Sequence, residues 1–340
     1  MQRRDCTAGL LSLGLAGLGS AGLGGKPARA ADTRTLKIAT IGLANSPWDF
    51  ALRRFKQVVE AEGKGRYAVN VYTDGSLGDI AQLLSAMQLG TVEFSAFGLT
   101  SITLVRGGEP LNVSYTPYLF SSVAAAERVL NNDEFRALYE KIGQSAGVRV
   151  FGAWGQRSPR ALQTVSGPIT KPDQVKGLRL RIPAIPMLKA VFERLGAQIT
   201  PLGMLEIYNA LSRGTIDGQD NGFDLSIPAH YHDVAKHWSA TNHAFELVGF
   251  FASERFWRSL PADDRGLFEH ASKEAGAVIT ELTRKLDEDS IGILKAAGCT
   301  YTVPDRDAFK AVLSGLETQF DGKLWPQGLV DRIRTAKENA

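Results

Sequence analysis

The sequence has little cysteine and, beyond its first 30 residues, no long apolar run. Cys6 and Cys299 are the two cysteines among 340 residues, and Cys6 lies in a segment that we expect to be removed. One remaining cysteine excludes an intramolecular disulfide, so stability has to come from burial of apolar side chains, for which about 310 residues suffice. Because no run of 18 apolar residues follows the leader, we expect the mature chain not to insert into a membrane.

The body of the chain also lacks an excess of either charge. The chain has 39 Lys and Arg against 36 Asp and Glu, but four of the basic residues and one acidic residue lie in the first 30 positions, which leaves 35 of each sign from Asp32 onward. Nucleic acids and anionic lipid surfaces require clustered positive charge. The even balance therefore argues against a nucleic-acid-binding protein and against a polybasic membrane-surface protein.

The first 30 residues are typical of a signal peptide. Arg3 and Arg4 precede the Gly-, Ala- and Leu-rich stretch 8–23, and an A-x-A pattern ends at Ala30. An apolar stretch of about 16 residues is short for a membrane span. We expect residues 1–30 to direct export to the periplasm and to be cleaved. The residues that flank the arginine pair fit a twin-arginine signal poorly, which favours the Sec route.

The remaining sequence alternates between strand-like and helix-like patterns, which predicts an α/β fold. Strands are predicted at Thr35–Ile41, Tyr67–Tyr72, Val92–Phe97, Val148–Ala153, Ala161–Val165, Leu178–Ile182, Gln198–Pro201 and Thr215–Gln219. Helices are predicted at Asp79–Leu89, Val123–Leu130, Glu134–Ser145, Pro186–Leu195 and Glu206–Ser212, and from Pro47 with Phe50, Leu52, Phe55, Val58 and Val59 at helical spacing. A helical pattern also runs without a break from Ala262 to Ala296, and a helix of this length is expected to cross more than one lobe.

Two polar side chains are predicted at the carboxyl ends of strands, where open α/β sheets bind ligands. Arg181 ends the strand that precedes Pro183, and its guanidinium can bind a carboxylate through two parallel hydrogen bonds. Asn221 follows the strand that begins at Thr215, and its amide can donate to a carboxylate or accept from a hydroxyl. Arg179, on the same strand as Arg181, is interpreted as a solvated surface charge.

Several ordered motifs resemble the solute receptors of tripartite ATP-independent periplasmic (TRAP) transporters of the DctP type, and the similarity extends from about Leu36 to Leu324. The motifs are Gly75–Gly78, Pro117–Phe120, Gly177–Pro183, Asp217–Asn221 and Thr241–His243. The resemblance implies a two-lobed periplasmic binding protein fold with a ligand cleft between the lobes and a lobe-spanning helix. On this basis we expect lobe I at 32–157 plus 245–286, lobe II at 158–244 plus 287–320, and a C-terminal helix at 321–340.

The resemblance also implies a function. Receptors of this family are not enzymes: they close around an organic acid anion and deliver it to a sodium-coupled membrane permease. We therefore expect a monomeric receptor with no enzymatic activity, no cofactor and no bound metal. Its expected partners are an organic acid and the permease subunits of a TRAP transporter.

The family's binding residues are carried over one at a time. Its principal carboxylate-binding arginine matches Arg181, and the asparagine that ends its Asp-Gly-Gln-x-Asn motif matches Asn221. A second family arginine matches Arg160, with Arg157 as the alternative because the spacing to the following Pro-Ile pair varies. Met204 occupies the position of a family aromatic residue that would pack on the ligand.

The side chains expected around the ligand suggest its class. Phe223 and Trp48 are expected to present flat apolar faces, and Asp224, Asp79 and Asn45 are expected to accept hydrogen bonds from hydroxyl groups. Aromatic faces combined with carboxylates suit a sugar acid such as a uronate or an aldonate better than a C4-dicarboxylate. A second carboxylate on the ligand would be repelled by Asp224 and would favour contact with Arg160.

A cluster of histidines supports a rival hypothesis, an exported metal-binding protein or a metal-dependent enzyme. His230, His232, His237 and His243 lie within fourteen residues, and His-x-His is a known ligand spacing. On a helix, however, His230 and His232 would project about 200° apart. No Glu-x-x-His or cysteine partner accompanies them, so structural roles are favoured for all four histidines.

Overall fold

The computed structural model describes residues 33–338 and, for side chains, residues 33–336. The predicted signal peptide at residues 1–30 lies outside the described residues. The strands are β1 (Arg34–Ala39), β2 (Tyr67–Tyr72), β3 (Phe94–Gly98), β4 (Val148–Gln156), β5 (Ala161–Thr164), β6 (Arg179–Ile182), β7 (Gln198–Pro201), β8 (Gly218–Asn221), β9 (His237–Ser239), β10 (Leu247–Ser253) and β11 (Thr300–Thr302).

The helices carry most of the chain between these strands. They are α1 (Pro47–Glu62), α2 (Ile80–Leu89), α3 (Val123–Leu130), α4 (Asp133–Ala146), α5 (Pro186–Arg194), α6 (Ile207–Ser212), α7 (Phe223–Ser226), α8 (Glu254–Ser259), α9 (Ala262–Ala296), α10 (Arg306–Leu313) and α11 (Leu329–Glu338). Short 3-10 helices lie at Leu99–Leu104, Glu109–Tyr115, Pro172–Val175, Met204–Glu206, Tyr231–Asp233 and Leu316–Gln319. None of the helices in the described part of the chain combines the length and apolar character needed to span a bilayer.

The strands form two sheets, which confirms the predicted two-lobed α/β fold. The first sheet has the order β2-β1-β3-β10-β4, with β1 parallel to its neighbours β2 and β3, and β10 antiparallel to β3 and β4. The second sheet has the order β11-β9-β5-β8-β6-β7. Within it, β6 is parallel to both β7 and β8, so the carboxyl ends of β6 and β8 lie at the same edge.

Within the described residues, three connections between strands cross from one sheet to the other. The first joins β4 to β5, the second joins β9 to β10, and the third is α9, which contacts α1 and β4 on one side and α7 and β11 on the other. Backbone hydrogen bonds join the first two crossings to each other. Arg157 N donates to Glu246 O at 3.3 Å, and Arg160 N donates to Ala244 O at 3.0 Å. The crossings therefore bring charged side chains that are distant in sequence to one place.

Local patterns explain the helices that frame the first sheet. Pro47 occupies the first turn of α1, where a proline is tolerated because its missing N–H has no partner in the helix. Trp48, Leu52 and Phe55 are buried along one face. Phe50 was expected on this face but is 43% exposed. It is two positions from both Trp48 and Leu52, and residues two apart on a helix point to opposite sides.

The longest predicted element is confirmed, whereas some strand ends shift. The helix predicted at 262–296 is observed as α9 with the same bounds. The strand predicted at 215–219 is observed at 218–221, so Asn221 is its last residue rather than the residue after it. The predicted lobe boundaries remain a prediction. Of the C-terminal helix expected at 321–340, residues 329–338 are helical as α11.

Candidate functional site

A cavity of about 250 Å³ lies where the two sheets face each other. The first sheet contributes Ile41, just after β1, and Phe97, near the end of β3. The second sheet contributes Arg181 from β6 and Asn221 from β8. All four lie at or near the carboxyl ends of strands, which is where ligands bind in open α/β sheets. The cavity is therefore the candidate ligand site.

Arg181 is a buried cation with no acidic partner among the described residues. Its side chain is 5% exposed, and its Nε and Nη2 atoms donate to the carbonyl oxygen of Leu202 at 2.9 and 2.6 Å. Burial lowers the pKa of Arg181 to about 10, so the guanidinium is still protonated at neutral pH. A buried charge without a counter-charge is unfavourable, and an anion bound in the cavity would offset that cost.

Arg160 also lines the cavity, but its charge is neutralised by Asp220. Arg160 Nη2 lies 2.7 Å from Asp220 Oδ2, Arg160 Nη1 donates to the hydroxyl of Tyr115 at 3.1 Å, and both members of the ion pair are buried. Burial acts to lower the pKa of Arg160, but the interactions with Asp220, Tyr115 and Glu246 together outweigh it and raise that pKa above its usual value. Burial likewise acts to raise the pKa of Asp220, and the charges of Arg160 and His243 outweigh it and lower that pKa.

Arg157 is held by two carboxylates. Its Nε lies 2.8 Å from Asp224 Oδ2, and its Nη1 lies 2.5 Å from Glu246 Oε2. The remaining nitrogen, Nη2, donates to Asn221 Oδ1 at 3.1 Å, and the guanidinium carbon lies 5.4 Å from the ring centre of Trp48. Burial acts to lower the pKa of Arg157, but the charges of Asp224 and Glu246 raise it above its usual value. Arg157 is thus fixed in place and already paired.

The structure places five of the eight residues expected at the site on the cavity wall. These are Arg181, Asn221, Arg160, Trp48 and Asp79, and the alternative arginine Arg157 and the substituted position Met204 line the wall as well. Asp79 also caps α2, because one of its carboxylate oxygens accepts from the backbone N–H of Gln82 at 3.0 Å. The roles of these residues in ligand binding remain predictions.

Three expected residues, Phe223, Asp224 and Asn45, lie outside the cavity wall. The ring of Phe223 stacks on Trp238 at 4.0 Å in a separate apolar cluster. Asp224 is fully buried, and its carboxylate binds Arg157 instead of facing the cavity. Asn45 is exposed in a left-handed turn with φ of 61°, where its backbone N–H donates to Asp49. The sequence position of each residue suggested that it lies near the ligand. Sequence position alone, however, does not determine the direction in which a side chain points.

Sequence reasoning missed two of the three acidic partners of the arginines, Asp220 and Glu246. Asp220 lies inside the Asp217–Asn221 motif but was not singled out, and Glu246 lies in the otherwise apolar run from Ala244 to Val248. Glu246 is only 2% exposed. Because a glutamate is rarely buried without a partner, a lone acidic residue in an apolar run was the signal that could have identified it.

The histidines are arranged differently from the helical expectation. His230 has left-handed backbone, with φ of 56°, and only Tyr231–Asp233 form a short 3-10 helix. The rings of His230 and His232 are therefore 5.6 Å apart, and their nitrogens and the carboxylate of Asp233 converge within 4.8 Å. The expectation that the two side chains diverge is wrong. None of these three residues lines the cavity, and His243 is instead buried beside Asp220.

A family model matches most of the described chain. Residues 38–321 match the DctP family, described as bacterial extracellular solute-binding protein, family 7. The chain belongs to this family. The motifs that suggested the resemblance all lie within the matched residues.

Solved structures of TRAP periplasmic solute-binding proteins have the same fold as this chain. A solute-binding protein of Roseobacter denitrificans is 30% identical over 84% of this chain and 86% of its own length. The solved structure of this same protein, a TRAP periplasmic solute-binding protein with bound L-galactonate, has a TM-score of 0.80 and 26% identity over 90% of this chain and 97% of that chain. One from Shewanella oneidensis, with bound succinate, has a TM-score of 0.82 and 24% identity over 90% of this chain and 99% of that chain. The two bound ligands are organic acids of different charge.

Proposed function

We propose that this protein is a periplasmic receptor that binds an organic acid anion through Arg181 and delivers it to the membrane permease of a TRAP transporter. One observation carries the proposal: Arg181 is a buried guanidinium on the cavity wall, without a carboxylate partner among the residues described. A carboxylate bound there would provide the missing counter-charge. The relatives with bound L-galactonate and succinate support the same class of ligand.

Another polar group is available to orient the acid. The Oδ1 atom of Asn221 accepts from Arg157 and from the backbone N–H of Gly222, which leaves its amide nitrogen free to donate into the cavity. The hydroxyl of Tyr115 accepts from Arg160 and is hydrogen-bonded to the carboxylate of Glu246, so it is already engaged. The Asn221 amide beside Arg181 allows micromolar binding, about −8 kcal/mol, after the cost of ordering the ligand.

The proposed ligand is an organic acid. Sugar acids are one class of organic acid to be compared with other classes in binding tests. Trp48 and Asp79 line the cavity as expected for a sugar acid, but Phe223, Asp224 and Asn45 do not. Fewer groups are therefore available to a polyhydroxylated ligand than the sequence suggested. The preference for a uronate or an aldonate now rests mainly on Asp79, Trp48 and the galactonate-bound relative.

Release to a permease requires the cavity to open. The two paired crossing segments and α9 are the connections about which the lobes would rotate, since hinges are formed by a few residues at element ends. We expect the receptor to act as a periplasmic monomer and the permease to be sodium-coupled. Uptake of the acid by permease-containing vesicles, with and without a sodium gradient, tests this step.

A thermal-shift screen of organic acids tests the binding function. We expect at least one acid to raise the Tm of the mature protein and to leave the Tm of Arg181→Met unchanged. An acid that stabilises both proteins equally would contradict the assigned role of Arg181. Nuclear magnetic resonance spectra of the acid after incubation with the protein should show no conversion, because we propose a receptor and not an enzyme.

A further inference from the structure

We infer that the cavity selects acids with a single negative charge, because buried carboxylates already neutralise two of its three arginines. This inference rests on the proposed function of the cavity as an acid-binding site. It specifies the net charge of the ligand and names Asp220, Asp224 and Glu246 as the residues that determine this preference. None of these three acidic residues lines the cavity, so each acts through an arginine that does.

The ion pairs divide the arginines into two kinds. Arg160 is bound by Asp220, with 2.7 Å between nitrogen and oxygen, and Arg157 is bound by both Asp224 and Glu246. All of these side chains are at least 95% buried, so the pairs are shielded from solvent and from competing ions. A ligand carboxylate at either guanidinium would place a further negative charge beside an arginine that is already paired. Arg181 remains as the one unpaired guanidinium of the described cavity wall.

The rest of the wall does not favour a second carboxylate. Over the lining residues that the structure describes, the cations are these three arginines, and no lysine or histidine is present. The other ionisable side chains on the wall are Asp79 and Glu206, both acidic, together with Tyr115. Most of the remaining surface is apolar, formed by side chains such as Ile41, Phe97, Leu104, Ile185 and Leu225. A second carboxylate would be desolvated beside apolar groups or placed near like charges.

The charge of Glu246 can be removed without removing its side chain. If Glu246 were neutral, Asp224 would be the single carboxylate partner of Arg157. The net charge around the cavity would then be more positive by one unit. The backbone N–H of Thr100 donates to Glu246 at 3.3 Å, and a glutamine carbonyl at this position can accept the same bond. Glu246→Gln therefore changes the charge with little change in shape.

Matched pairs of ligands test the inference. Galactonate and galactarate share a carbon chain and differ in one terminal carboxylate, as do 4-hydroxybutanoate and succinate. By isothermal titration calorimetry, we expect each monoacid that binds to bind at least about 30-fold more tightly than its diacid. Diacids that bind as tightly as their monoacids would overturn the inference and leave the proposed function standing. If no acid in a broad panel binds, the proposed function itself fails, and the inference fails with it.

Charge-neutralising variants test the assigned residues. Glu246→Gln should reduce the preference for the monoacid by about tenfold or more, and Asp79→Asn, which keeps a good helix cap, should change it in the same direction. The matched control is Glu317→Gln, because Glu317 is 7% exposed and paired with Arg334 but does not line the cavity. If Glu246→Gln does not fold, Asp224→Asn takes its place, because Asp224 binds the same arginine. An unchanged preference in the folded variants would refute the role of these carboxylates.

Discussion

Replacing Arg181 with methionine should abolish tight acid binding without unfolding the protein. Methionine fills a similar length of the cavity wall but removes the guanidinium. The change deletes the charge-assisted hydrogen bonds that a ligand carboxylate would accept, two in a bidentate pair. At about 1.5–3 kcal/mol each, their loss predicts an affinity lower by about 10²- to 10⁴-fold.

The structure predicts a much smaller effect of this substitution on stability. Arg181 has no ion pair among the described residues, and its protein partners are two hydrogen bonds to one carbonyl, that of Leu202. Burial already lowers its pKa to about 10, so removal of the charge relieves a cost that offsets part of the lost bonding. We therefore expect the Tm of the ligand-free variant to remain within a few degrees of wild type, since about 1 kcal/mol shifts Tm by about 2–4 °C in chains of this order of size.

Calorimetric titration with the tightest acid, combined with thermal denaturation without ligand, measures both effects. Arg181→Lys is the matched control, because it keeps a positive charge but loses the planar fork, and it should bind with intermediate affinity. Binding by Arg181→Met within about fivefold of wild type, well short of the loss predicted from charged hydrogen bonds, would refute the reasoning. A variant that no longer unfolds cooperatively would show that Arg181 is needed for folding.

Other predictions follow from the same buried charges. Arg160→Met removes the arginine partner of the buried Asp220 and leaves the ring of His243 beside it at 3.2 Å. We expect the change to lower the unfolding free energy by about 3–5 kcal/mol in urea titrations; a change below about 1 kcal/mol would contradict the structural role of the pair. Burial raises the pKa of Asp287, which accepts from Ser158, to about 7, so its contribution to stability is lost as pH rises from about 4 to 7. Asp287→Asn should therefore have the wild-type Tm near pH 4 and a higher Tm at pH 8, and equal values at pH 8 would contradict this. Chelation of metals should leave acid affinity within about twofold, because His230, His232 and Asp233 lie off the cavity wall; a large loss would favour the metal hypothesis.

Much of the architecture could be predicted because its causes are local. The helical pattern at 262–296 persists for ten turns, so it predicts α9 independently of any neighbour. Arg181 and Asn221 were found by their positions at strand ends, and the parallel pairing of β6 and β8 brings these ends to one edge. Two wrong predictions also concern local structure. Phe50 and His230 were assigned to helical faces from spacing alone, and the backbone at His230 leaves the helical region.

The sequence by itself determined the family, the α/β alternation and the two strand ends that reach the cavity. It could not determine which of Arg157, Arg160 and Arg181 is free. The acidic partners of Arg157 and Arg160 lie 60 to 89 residues away along the chain, and only the crossing segments bring them within hydrogen-bond distance. Asp224, expected to contact the ligand, binds Arg157 for the same reason. A buried charge needs the partner that is nearest in space, and that distance exists only in the folded protein.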